Sequence, residues 1–149
     1  MDNITKTELL LLFRKCNKAL YKCYQQNDPK GNFRGQGHLL SVLMKQDGIS
    51  QTELAKQMDI ARGSMSELLI KVEKAGLVIR KPDPYDKRSI RVYLTPLGKN
   101  KAIENKIFTQ RLASKVFETY TQEEMNMLAP LLNKFISHLD NFLEEEKTS

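Results

Sequence analysis

A mostly α-helical chain, interrupted once by a short β-hairpin, is what this sequence predicts, on three observations. Apolar residues recur at three- and four-residue spacing through most of its 149 residues. Between residues 77 and 94 that rhythm gives way to β-branched alternation around a proline-rich turn. Ser50-Gln51-Thr52-Glu53 and Thr121-Gln122-Glu123-Glu124 each have the S/T-x-x-E form of a helix-starting capping box.

The elements follow in order. Thr5 to Tyr24 reads as a helix carrying Leu9, Leu12, Phe13, Cys16, Ala19, Leu20 and Cys23 on its apolar side, with Asp2, Asn3 or Thr5 as N-cap. Asn27-Asp28-Pro29-Lys30-Gly31 closes it with turn residues. A second helix runs from about Gln36 to Lys45, and Asp47-Gly48 turns the chain into Ile49, a single-residue strand. The Ser50 box then opens a short helix with Leu54, Ala55 and Met58. After the tight joint Asp59-Ile60-Ala61, a further helix spans about Arg62 to Ala75, with Met65, Leu68, Leu69 and Val72 facing inward and Gly76 ending it.

Leu77 to Lys81 and Ser89 to Leu94 are the strands of the hairpin. Ile90, Val92 and Leu94 fall on one side of the second strand and Arg91 and Tyr93 on the other, and Pro82-Asp83-Pro84-Tyr85-Asp86 forms the turn. From Pro96, suited to a first helical turn, helix returns through Ile103, Ile107, Leu112 and Val116. The Thr121 box opens a last helix with Leu128, Leu131, Leu132, Phe135, Leu139 and Phe142, in which Pro130 predicts a kink and the tail Glu144-Glu145-Glu146 is expected to fray.

Charge narrows the function. The net charge is +6, and residues 34–101 carry all of it: thirteen Lys and Arg against seven Asp and Glu, with the flanks balanced. Arg80, Lys81, Lys87, Arg88, Arg91, Lys99 and Lys101 crowd the stretch around the hairpin. Positive charge so concentrated suits a polyanion partner, whose phosphates release counterions when neutralised.

Other classes are excluded on composition. With 40% apolar and 28% charged residues the chain is an ordinary globular one. Its longest apolar run, Leu9 to Phe13, is far short of the roughly 20 residues that span a bilayer. No signal-peptide pattern follows Met1-Asp2-Asn3, and two cysteines make no disulfide scaffold, so a cytoplasmic, reduced protein without membrane contact is expected. Enzyme motifs are lacking: there is no G-x-S-x-G, no paired-histidine metal motif and no phosphate-binding P-loop. No cofactor is expected, and His38, His138, Cys16 and Cys23 lack metal-ligand spacing.

A capped short helix, a tight joint, a second helix ended by glycine and a basic-tipped hairpin together make a winged helix-turn-helix. The second helix fits the major groove, where base edges are distinguishable. Arg62, Gly63, Ser64, Ser66 and Glu67 lie at its outward start, with Lys71 one turn on. Lys87 and Arg88 tip the wing, where a cation reaches phosphates or a narrow minor groove, and Asp86 can hold the guanidinium.

The segments Ser50–Ala55, Ser64–Val78, Asp83–Arg88 and Leu94-Thr95-Pro96-Leu97-Gly98 resemble, in order and spacing, the MarR family of bacterial transcriptional regulators. The D-x-R wing followed by L-T-x-x-G is the most discriminating part. The resemblance implies an obligate homodimer in which residues 1–30 and 99–149 supply interlocking dimerisation helices and residues 34–98 the DNA-binding lobe. It implies a sequence-specific regulator of double-stranded DNA, a repressor on a pseudo-palindromic operator, released by a small-molecule inducer or an oxidant. By position, Arg62, Ser64 and Ser66 would face bases, Gln51, Thr52 and Lys71 would touch phosphates, and Arg88, oriented by Asp86, would enter the minor groove. Many relatives carry Arg where this chain has Glu67, an acidic residue that costs phosphate attraction but can accept from cytosine N4.

Two alternatives stand beside this reading. One is a winged-helix protein-interaction module without DNA binding, against which the basic wing speaks. The other is a peroxide-sensing regulator using Cys16 or Cys23, which lie seven apart on one helix face. Their plainer role is as small apolar residues packed between dimer helices.

Overall fold

The computed structural model describes residues 2–29 and 35–149. Six helices and one hairpin follow in the order α1 (Lys6–Asn27), α2 (Gln36–Lys45), α3 (Gln51–Gln57), α4 (Arg62–Lys74), β1 (Val78–Pro82), β2 (Ile90–Leu94), α5 (Pro96–Val116) and α6 (Gln122–Thr148). Chain contacts divide it into two compact units, residues 1–108 and 109–149. Lys30-Gly31 of the predicted turn, and the predicted lobe boundary at residue 34, lie outside the described residues.

Of the three caps offered for α1, Thr5 is the one used. Its hydroxyl accepts from the Glu8 amide at 3.2 Å while the Glu8 carboxylate accepts from the Thr5 amide at 2.8 Å. Those bonds hold the Glu8 carboxyl below its ordinary pKa. The Thr121 box at α6 forms in both directions too, through Glu124. At α3 only one half of the predicted box forms: Ser50 accepts from the Glu53 amide at 3.1 Å, and the return bond is not made. Ser50 instead lies in an isolated bridge with Arg91, one residue beyond the strand expected at Ile49. Ile49 contributes its carbonyl, which accepts from the Val92 amide.

The core of the first unit is built by α2, α3, α4 and the hairpin. Leu39, Leu40, Leu43, Leu54, Met65, Leu69, Val72 and Val92 are fully buried there, and the predicted α4 stripe faces inward as a set. The joint between α3 and α4 works because Asp59 takes the left-handed conformation, φ 51°, which short polar side chains tolerate. Gly76, at φ 78°, turns the chain out of α4.

The strands pair antiparallel, with Val78 opposite Leu94 and Pro82 opposite Ile90. On the side shared by Ile90, Val92 and Leu94, the last two are buried, but Ile90 is 40% exposed. Its partner Pro82 closes the ladder at the hairpin's outer end, past the edge of the core, so alternation there no longer means burial.

The L-T-x-x-G segment is a packing joint. The Thr95 hydroxyl donates to the Gly76 carbonyl at 2.6 Å and accepts from the Gly98 amide at 3.0 Å, while the Thr95 amide donates to the Leu77 carbonyl. A Cβ at position 98 would run into that same Leu77 carbonyl, so only glycine lets α5 start this close to the α4–β1 turn. Near the other end of the first unit, Tyr24 packs edge-on against Phe108, and Lys101 pairs with Asp28.

In the second unit α6 runs unbroken through Pro130, and the tail expected to fray stays helical to Thr148. Lys147 donates to Glu144 at 2.9 Å, setting a cation in the last turn against the acidic run. No described helix is long and apolar enough to cross a membrane.

Candidate nucleic-acid interface

Helices α3 and α4 are joined at their N-terminal ends by a side-chain bond, Gln51 Nε2 to Ser66 Oγ at 3.2 Å. Beside it, a groove of about 200 Å³ opens between the two helices and the hairpin. Gln51, Thr52, Arg62, Ser66 and Arg88 line it, together with Ala55, Met65, Ser89 and Ile90. Five residues chosen from the sequence for DNA contact thus converge on one concavity, although Gln51 and Arg88 lie 37 positions apart.

The other six chosen residues lie outside the groove lining. Gly63, Ser64, Glu67 and Lys71 are exposed along α4, and nothing stands within 4 Å of the space a Cβ would take on Gly63. Asp86 and Lys87 are exposed at the wing tip. The Arg88 side chain is 98% exposed. Asp86 holds mainly its backbone: Oδ1 accepts from the Arg88 amide at 3.1 Å and stands 3.9 Å from Nε.

The structure also sorts the basic stretch that the sequence presented as one patch. Arg80 is spent on Glu73, with Nε and a terminal nitrogen donating to the two carboxylate oxygens at 3.0 and 3.2 Å, and this holds the Glu73 carboxyl below its usual range. Lys101 is paired with Asp28. Lys81 sits 5.7 Å over the Tyr93 ring. Arg91 donates to Asp83 at 2.5 Å and to the Gly48 carbonyl at 2.8 Å. Lys87 and Arg88 are left facing outward at the wing tip.

Asp83 is what sequence reasoning missed. The sequence places it in a turn, yet it is buried and its Oδ1 accepts from the amides of Tyr85 at 2.8 Å and Asp86 at 3.0 Å. Those amides, with the Arg91 guanidinium, hold its carboxyl below the ordinary aspartate range, so it is ionised at neutral pH. Tyr85, whose amide Asp83 holds, is 98% exposed at the tip. Cys16 and Cys23 are both free and exposed on α1. Among the described residues no group of three or more His, Cys, Asp or Glu is placed to hold a metal ion.

Comparison with known proteins fits this architecture. The MarR family model matches residues 34–90. The uncharacterized HTH-type transcriptional regulator YdgJ of Bacillus subtilis (strain 168) is 28% identical over 103 residues, which is 69% of this chain and 63% of YdgJ, just under two thirds of its length. The HTH-type transcriptional repressor YetL of the same organism is 30% identical over 115 residues, covering 76% of this chain and 69% of YetL. The solved S. aureus MepR–DNA complex superposes with a TM-score of 0.79 at 25% identity, over 92% of this chain and 99% of that one. On the fold, the sequence match and these relatives together, this chain belongs to the MarR family, a family of DNA-binding transcriptional regulators and not of enzymes.

Proposed function

We propose that the chain acts as a homodimeric repressor in the cytoplasm, reading a pseudo-palindromic operator in double-stranded DNA. The observation that carries this is the groove in which Arg62 of α4 and Arg88 of the wing line one concavity. A duplex presents a major groove and a flanking phosphate ridge side by side, and that pairing of recognition helix and wing is the shape that meets both. Arg62, Ser64 and Ser66 are the base-facing residues, with Gly63 and Glu67 beside them on the DNA-facing start of α4; Gln51, Thr52 and Lys71 are the phosphate-facing set, and Lys87 and Arg88 the wing cations, with Asp86 orienting Arg88. YetL is a transcriptional repressor, and repression is the expected sense of regulation here.

Dimerisation is argued from uncovered surface. Leu9, Leu10, Leu12 and Leu20 on α1, and Leu131, Ile136, Leu139, Phe142 and Leu143 on α6, are all exposed in the single chain. Apolar stripes of that extent are covered in solution, and residues 1–30 and 99–149 are read as the dimerisation segments around the lobe of residues 34–98. A second copy also supplies the second recognition helix that a two-fold operator needs, roughly 34–36 Å away. Release is assigned to a small-molecule inducer or to an oxidant, with Cys16 and Cys23 as the residues an oxidant would meet.

Fluorescence anisotropy tests the reading, with a duplex from upstream of the chain's own coding region, scrambled duplex as competitor and a salt series. Tight binding that resists the competitor and falls steeply with salt is expected. Weak binding abolished by scrambled DNA, repeated in a genome-wide selection, would instead favour a winged-helix module that binds protein.

A further inference from the structure

Arg91, one of the cations crowded around the hairpin, is committed to partners within the fold, Asp83 and the Gly48 carbonyl. We infer that Asp83 and Arg91 are a positioning pair: they tie the wing tip to the start of the helix-turn-helix, and so set where Arg88 meets DNA relative to α4. The inference rests on the DNA reading given above.

Each end of the tie is specific. Arg91 Nε donates to Asp83 Oδ2 at 2.5 Å, and a terminal nitrogen donates to the Gly48 carbonyl at 2.8 Å. The other Asp83 oxygen accepts from the amides of Tyr85 and Asp86, inside the turn that carries Arg88. Asp86 in turn accepts from the Arg88 amide. One carboxylate therefore fixes the turn on one side and grips the guanidinium on the other.

Gly48 is well placed to anchor it. It stands at φ 82°, a conformation glycine adopts freely, with the Tyr93 ring packed so close that a Cβ would collide with it. Its amide donates to the Val92 carbonyl, and the Val92 amide donates to the Ile49 carbonyl. Three residues after Gly48 begins α3, whose Gln51 bonds to Ser66 of α4. The wing turn is thus linked to the recognition helix through a continuous set of bonds.

A two-stranded hairpin is marginal by itself, and a loose tip would lose conformational freedom on meeting DNA. Holding the tip beforehand removes that cost. The planar Arg fork can hold Asp83 and Gly48 at once, whereas a lysine ammonium brings one compact charge without the fork.

The test exploits opposite signs. Asp83→Asn removes a negative charge beside DNA, so charge alone predicts tighter binding, whereas loss of the tie predicts weaker binding. Arg91→Lys keeps the charge but not the fork; a phosphate-contacting cation would tolerate it and the tie would not. Operator affinity is measured by anisotropy at fixed salt for Asp83→Asn, Arg91→Lys, Arg88→Ala and the Asp83→Asn/Arg88→Ala double variant, with thermal melting to register any variant that fails to fold. Arg88→Ala is expected to weaken binding about 5- to 150-fold. Asp83→Asn and Arg91→Lys are each expected to weaken it several-fold, and Asp83→Asn to add less than about twofold once Arg88 is gone, because coupled residues are not additive. Unchanged or tighter binding by both single variants, or full multiplication of the Asp83→Asn and Arg88→Ala effects, would overturn the pair. An Arg88→Ala variant that binds normally would overturn instead the DNA role of the wing on which the pair depends.

Discussion

Residues 39–102 and the helix α6 carry apolar stripes of the same kind, with opposite fates in the single chain. Every buried hydrophobic residue among those described lies between Leu39 and Ala102. Neither α1, 22 residues long, nor α6, 27 residues long, buries any residue. Yet Leu131, Leu139 and Phe142 repeat as regularly as Met65, Leu69 and Val72. Periodicity says that a face will be covered, and it is silent on the cover. In the lobe three short helices and a hairpin enclose one another, whereas the long helices leave their apolar faces exposed.

That contrast yields tests of decreasing size. Leu69→Ala, at a fully buried site, is expected to cost about 2–5 kcal/mol in urea unfolding, the range for a core cavity. A surface-sized loss would mean the lobe is looser than its packing indicates. Leu139→Asp is expected to leave the lobe folded, judged by circular dichroism, while shifting the protein from dimer to monomer in sedimentation at micromolar concentration; a dimer that survives would remove α6 from the interface. Thr121→Ala removes the α6 capping box and should cost about 1 kcal/mol in thermal melting.

Gly63→Ala separates stability from function. The space for a Cβ is open, so the variant should gain about 0.4–1 kcal/mol of stability. Operator affinity should fall all the same if the α4 backbone lies against DNA, and an unchanged affinity would take Gly63 out of the contact set. The smallest effect is one of pH. The Asp83 carboxyl is depressed by its hydrogen bonds, so its contribution is complete above the ordinary aspartate pKa of about 3.9 and disappears as pH falls through the lower native value. Comparing acid unfolding of parent and Asp83→Asn should show a difference that narrows only in that acidic window.

Much of the fold and half of the candidate site were legible in order along the chain. The α2 boundaries, the α4 stripe, both ends of the Thr121 box and the role of Gly76 all depend on interactions within a few residues, which spacing encodes directly. Arg62, Ser66 and Arg88 could be chosen because a helix start and a hairpin tip are local features.

Only tertiary structure could sort the charges and the exposures. Arg80, Arg91 and Lys101 look alike with Lys87 and Arg88 in the sequence, but the first three meet Glu73, Asp83 and Asp28, the last of these 73 positions away. Ile90 follows the strand alternation and is nonetheless exposed, because the core ends beneath it. Ser50 gives up half its capping box and bridges to Arg91 across 41 positions. The sequence by itself determined the elements, the family and the net positive charge of the lobe, since these follow from local spacing and composition. Which cations remain free to meet a polyanion was decided by the fold, because an ion pair forms between whatever side chains the packing brings within a few ångströms.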